Sequence, residues 1–170
     1  MALKSIQETA IRACRLLFRD VVFTMRGGLA KGLKRRFGLG FKPKFGLTKE
    51  EKFLLGLDFR GKTIYDIGGY IGIYTLFFSR AAGENGKVVA FEPMPENFGE
   101  LSFNIGINGI KNATALNLAV GREKSRVKMV VPSYTSRGSL DTGVQEKIRC
   151  TCNAMEIIVE VDSIDSLTKG

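Results

Sequence analysis

The stretch Ile64 to Thr75 reads IYDIGGYIGIYT. An apolar run ends in Asp66, glycines follow at 68, 69 and 72, and apolar periodicity then resumes. A strand that breaks into glycines and passes straight into a helix can fold in few ways. Glycine admits the left-handed backbone that a tight turn needs. A helix N-terminus leaves backbone N–H groups without partners in their own helix, and its dipole favours negative charge there. Gly68 is expected to permit the turn. Gly69 and Gly72 are expected to let a ligand approach the backbone closely. The alternative is a tight strand-to-helix turn that holds nothing.

The flanking residues extend this unit. Gly61-Lys62 turns into the strand TIYDI, and a helix is expected from about 71 to 82. Asn85-Gly86 is a turn signal. KVVAFE (87–92) is a second strand, nearly all apolar, as in a sheet covered on both faces. A helix over 95–108 stops near Gly109, and ATALNLAV (113–120) is a third strand. The order β-α-β-α-β implies parallel strands with right-handed crossovers, a doubly wound α/β architecture of Rossmann type. After Gly121 the pattern changes. RVKMVVP (126–132) and EIIVEV (156–161) read as strands around a polar, turn-rich segment, a β excursion inserted into the sheet or appended to it.

Upstream, charge divides the chain. Residues 1–46 carry eleven Lys/Arg against Glu8 and Asp20, whereas residues 47–170 carry 15 basic and 15 acidic side chains. A basic N-terminal arm (1–46) therefore precedes a neutral body (47–170). Apolar spacing predicts a helix over 3–26, stopped by Gly27-Gly28, and then a glycine- and lysine-rich loop or short helix. Such an arm suits a packed helix with a solvated basic rim. It also suits weak contact with an anionic membrane surface, with no specific nucleic acid expected. Thr48-Lys49-Glu50-Glu51 is a capping box opening a short helix through Leu55.

Composition excludes several chemistries. The chain has no histidine, so a His-based triad and a His-bound metal are ruled out. Cys150 and Cys152 are too close for an ordinary disulfide. Asp141, Asp162 and Asp165 read as caps and solvated acids, and no metal site is expected. No signal peptide and no apolar run long enough to span a membrane is recognised, and a reduced, cytoplasmic setting is expected.

The second strand ends in Glu92, 24 residues after Gly68. An acid at that strand end can accept hydrogen bonds from both hydroxyls of a ribose. The dinucleotide pattern G-x-G-x-x-G fails at Tyr70, which weakens a nicotinamide enzyme, and the phosphate-loop G-K-[ST] is absent. D-x-G-x-x-x-G with a downstream Glu suits S-adenosylmethionine. Its amino-acid end would lie near the glycine turn and Asp66, and its ribose on Glu92.

YDIGGYIGIYTLFFSR, GKVVAFEPMPENF, NATALNLAVG and VEVDSIDSL, in that order, resemble the FkbM family of methyltransferases over about residues 60–168. The resemblance implies a Rossmann-like fold, S-adenosylmethionine as methyl donor, and O-methylation of a sugar or natural-product hydroxyl. Asp66, Gly68, Gly72 and Glu92 carry over directly, with Gly69 beside them. Tyr70 stands where the family has Asn or a similar small polar residue. Asn117 and Ala119 fall where the third strand borders the adenine, and Asn97 matches the Asn of the E-P-x-P-x-N-F segment. No general base is assigned. The family continues into a fourth parallel strand beside the first, and this chain ends before it. The expectation is a cofactor-binding half whose first strand is an exposed, self-associating edge. The runner-up is a noncatalytic module that binds the cofactor and docks through its basic arm.

Overall fold

A computed structural model describes residues 20–36, 46–132, 145 and 154–167. The end of the helix expected over 3–26 is a strand instead. Val22–Thr24 forms β1 and pairs antiparallel with β2, Lys34–Arg36. Consecutive β-branched and aromatic residues, Val21, Val22, Phe23 and Thr24, prefer an extended backbone. Gly27-Gly28, expected as a helix stop, lies in the hairpin loop, with Gly28 at φ 77. Met25 N–H donates to the Leu33 carbonyl at 2.9 Å and closes the hairpin. Residues 1–19 and 37–45, which hold the rest of the expected helix and loop, lie outside the described residues.

This hairpin shares a core with the body of the chain. Met25 and Ala30 are buried with Leu76, and Phe23, Leu33, Ile73 and Ile110 pack around them. Downstream, α1 (Lys49–Leu55) starts on the expected capping box. Glu51 N–H donates to Thr48 Oγ1, and Thr48 N–H donates to the Glu51 carboxylate at 2.9 Å.

The α/β unit follows as β3 (Thr63–Ile67), α2 (Ile73–Ala82), β4 (Lys87–Phe91), α3 (Pro95–Ile107) and β5 (Ala113–Leu116). Its strands pair in parallel in the order β3-β4-β5, with Asp66 beside Ala90 and Ile67 beside Phe91. Side chains alternate across a strand. Ile64, Asp66, Val88 and Ala90 therefore share one face, the one toward α2 and α3. Val88 and Ala90 are fully buried there. Leu101 of α3 is equally buried, and burying one leucine is worth roughly 2 kcal/mol. Tyr65, Ile67 and Val89 lie on the opposite face.

The expected third strand divides. Ala113–Leu116 stays with β4, while Ala119–Val120 forms β6 in a second sheet. There β8 (Ala154–Asp162) lies between β6, to which it is parallel, and β7 (Ser125–Pro132), to which it is antiparallel. The β excursion thus hydrogen-bonds to the chain after Asn117 rather than to β3. A short helix, α4 (Ile164–Leu167), follows. Met94, Ala119, Met129, Val131, Val159 and Val161 form the core beneath this sheet.

Among the described residues, β3 pairs with β4 alone, and Ile67 is 60% exposed. A parallel strand with one edge unpaired and apolar side chains invites pairing with another chain. The 170-residue chain is predicted to self-associate with rising concentration. Ile67→Lys should shift it toward monomer in sedimentation velocity. Equal sedimentation of both forms across the same concentrations would show that the edge draws no partner.

Candidate functional site

The loop between β3 and α2 is tied to the end of β4. Gly68 N–H and Gly69 N–H both donate to the Phe91 carbonyl, at 2.8 and 2.9 Å. Gly72 N–H donates back to the Gly69 carbonyl at 2.8 Å. Gly68, Tyr70 and Gly72 have left-handed backbone, with φ of 80, 52 and 89. Tyr70 is the only such non-glycine among the described residues.

The three glycines do different work. A Cβ at Gly72 would fall 2.7 Å from Leu101 Cδ1, and one at Gly69 would lie 3.3 Å from Leu101 Cδ2. The close approach at 69 and 72 is therefore made by α3, not reserved for a ligand. At Gly68 a Cβ would meet nothing within 4 Å. Gly68 is the position of this loop with both a left-handed backbone and open space.

Beside this loop sits Glu92, just past β4. Its Oε2 accepts from Tyr70 N–H at 2.8 Å, and its Oε1 accepts from Met94 N–H at 3.0 Å and Asn97 Nδ2 at 3.2 Å. It is buried. A carboxylate offers about four acceptor positions. Three are taken in this conformation, leaving room for about one further donor, where the sequence led us to expect both ribose hydroxyls. Asn117 Nδ2 donates to the Glu92 carbonyl at 2.8 Å and the Pro93 carbonyl at 3.1 Å. Asn117 thus fixes the backbone that carries Glu92. Ala119 is buried in the cluster with Met94 and Met129.

Asp66 points to the helical face. Thr75 Oγ1 donates to its Oδ2 at 2.5 Å. Burial pushes the Asp66 carboxyl above the ordinary aspartate value of 3.8, against the opposing pull of the Thr75 hydrogen bond. A cation placed beside Asp66 would reverse that shift.

The structure therefore gathers Asp66, Gly68, Gly69, Tyr70, Gly72 and Glu92 around one loop. Sequence reasoning missed Thr75, Leu101 and Asn104, whose Nδ2 donates to the Ile71 carbonyl at 2.9 Å. A signal for Asn104 was present. Asn97, Asn104 and Asn108 fall at i, i+7 and i+11, one face of a helix in an otherwise apolar pattern. Among the described residues no group of three or more His, Cys, Asp or Glu could hold a metal ion.

A parallel β-α-β-α-β unit with a glycine loop after its first strand and an acid after its second defines a Rossmann-like α/β domain. The family description "Methyltransferase FkbM domain" matches residues 66–169, more than half of the chain, and the chain belongs to that family. No curated protein matches it. Among solved structures it is similar to a protein-L-isoaspartate O-methyltransferase, with 24% identity and a TM-score of 0.37, over 57% of this chain and 28% of that one. A SAM-dependent O-methyltransferase from Thermotoga maritima is 20% identical with a TM-score of 0.39, over 64% of this chain and 50% of that one. The TYW2 protein of P. horikoshii, in complex with MeSAdo, is 14% identical with a TM-score of 0.43, over 84% and 70%. The chain thus spans less than two thirds of the first two of these proteins.

Glu92→Gln puts an amide donor where three donors converge. Losing a hydrogen bond to a charged group costs roughly 1.5–3 kcal/mol, so S-adenosylhomocysteine affinity should fall about tenfold or more by calorimetry. An unchanged affinity would remove Glu92 from the site. The raised carboxyl of Asp66 predicts a pH effect of definite sign. The folded state holds this proton more tightly than the unfolded state, so the contribution to stability is full below 3.8 and is lost as pH rises through the raised folded value. Asp66→Asn should therefore flatten this fall in urea unfolding across that window. A slope identical to that of the parent would show that Asp66 is not the group responsible.

Proposed function

We propose that this chain binds S-adenosylmethionine at the Gly68 loop and serves as the cofactor-binding part of an O-methyltransferase acting on a sugar or natural-product hydroxyl. The observation that carries the reading is the open, left-handed Gly68 beside the fixed carboxylate of Glu92. The residues present fit the group. The first turn of α2 offers backbone N–H groups to a carboxylate. Asp66 lies close by for an ammonium, and the remaining acceptor position of Glu92 suits a ribose hydroxyl. When bound, the cofactor supplies an electrophilic methyl group on its sulfonium. The chain's part is to hold the donor still. Alignment of donor and acceptor is worth on the order of 7–11 kcal/mol of barrier when it is good.

A second reading, a module that binds the cofactor without turnover, draws support from the open β3 edge. Among the described residues, the strands of the second sheet make no pairing with β3. We read the setting as cytoplasmic. No helix among the described residues is long and apolar enough to cross a membrane. Exposed Arg26, Lys31 and Lys34 leave a basic rim for weak contact with an anionic surface, which salt would screen.

Calorimetry with S-adenosylhomocysteine and with a nicotinamide dinucleotide tests the reading. Binding of the first in preference to the second is expected. Gly68→Val should abolish it while circular dichroism stays unchanged, because a β-branched residue resists φ near +80 and fills the open space. Preference for the dinucleotide would overturn the assignment. Transfer of labelled methyl to a panel of sugar hydroxyls separates enzyme from module.

A further inference from the structure

We propose that the β1–β2 hairpin sets the conformation of the glycine loop through Asn104, so that ligand affinity at the loop depends on how the hairpin docks on α3. The ligand's identity rests on the reading above; the mechanical coupling does not.

The coupling is built from two asparagines one turn apart on α3. Asn108 Oδ1 accepts from Lys34 N–H at 2.7 Å, and its Nδ2 donates to the Lys34 carbonyl at 2.7 Å. Asn104 Oδ1 accepts from Arg36 N–H at 2.9 Å. Four helical residues rise about 6 Å and two strand residues about 6.6 Å, so the two amides are spaced to read alternate residues of an extended strand. On this side α3 takes the place of a neighbouring strand for β2. The Arg36 guanidinium lies 3.6 Å over the Phe103 ring and pairs with Glu100 at 3.3 Å. Across the hairpin loop, Arg80 of α2 donates to the Lys31 and Leu29 carbonyls. The hairpin is thus fastened to both helices that flank the glycine loop.

Asn104 carries this docking into the loop. It is buried, and while Oδ1 holds Arg36, Nδ2 donates to the Ile71 carbonyl. One amide group therefore fixes β2 on one side and the loop on the other. Ile71 is the residue after Tyr70, whose left-handed backbone is unfavourable for a residue with a side chain and persists only where its surroundings over-determine it. The Glu92 bond to Tyr70 N–H and the Asn104 bond to the Ile71 carbonyl supply that constraint from either side. Arg35 adds to the link. It is buried, desolvation disfavours its charge, and the Glu100 carboxylate opposes that effect.

Asn108→Ala tests the link, because Asn108 bonds to β2 and to the Asn104 carbonyl but not to the loop. Amide exchange in the ligand-free full chain is read at 34 and 36, at 70–72, and at 88–91 in β4. The expected result is faster exchange at 34 and 36 and, with it, at 70–72, with 88–91 unchanged. S-adenosylhomocysteine affinity should fall roughly three- to tenfold. If the single change leaves the hairpin protected, Asn108→Ala with Arg36→Ala removes the stacked guanidinium as well. Asn104→Asp keeps the acceptor for Arg36 N–H and loses the donor to Ile71. It should weaken binding with 34 and 36 still protected. A freed hairpin with wild-type exchange and affinity at the loop would overturn the proposal. So would a uniform rise at all amides, which would make the hairpin a general structural support. If the parent chain binds no S-adenosylhomocysteine, the cofactor reading fails, and the exchange data alone still decide the coupling.

Discussion

Three chain segments meet at the side chain of Glu92. The glycine loop donates through Tyr70 N–H, the start of α3 through Met94 N–H, and α3 itself through Asn97. A buried carboxylate without such donors costs several kcal/mol. The end of β4, the loop after β3 and the first turn of α3 therefore hold one another in place. Leu101 locks the same junction with apolar contact, filling the space left by two missing side chains at Gly69 and Gly72. What remains open is Gly68, at the mouth of the junction. The candidate site is the residue of space left after the packing of α3 is complete.

This explains why the loop can afford Tyr70. A left-handed tyrosine is unfavourable in isolation. Here its N–H is captured by Glu92, and the next carbonyl is captured by Asn104. Asn104 in turn reads the hairpin, so the N-terminal basic segment reaches the loop through a single amide group. Much of the positive charge in β2 is turned inward to do this. Arg35 is buried, and Arg36 stacks on Phe103 beside Glu100. Two of the arm's eleven basic side chains, Arg35 and Arg36, thus serve internal docking.

The strands, helices and loop of 61–116 were legible because each local signal agreed with the others. Apolar runs end in glycine, helical spacing follows, and turn residues mark the joins. The capping box at Thr48 was legible for the same reason. Three features were not. The end of the helix expected over 3–26 is the strand Val22–Thr24, since Val21 to Thr24 also satisfy a strand and only the core with Leu76 and Ile110 decides between them. The partner of Gly69 and Gly72 could not be seen, because Leu101 comes from a separate helix and one sequence does not show which helices touch. Nor could the break at Asn117 be seen. It sends Ala119 into a second sheet and gives Asn117 to the backbone of Glu92 and Pro93. In each case the deciding contact is tertiary, whereas the signals available were local.

Whether the Gly68 loop and Glu92 form the ligand site is decided by a titration of amide resonances. S-adenosylhomocysteine is added to the labelled 170-residue chain, and two-dimensional spectra are recorded. Saturable shifts are expected at Gly68, Gly69, Tyr70 and Glu92, with Val127 to Val131 of β7 unmoved. Shifts confined to the β6-β8-β7 sheet, or none at Gly68 at saturating ligand, would contradict this placement of the ligand site.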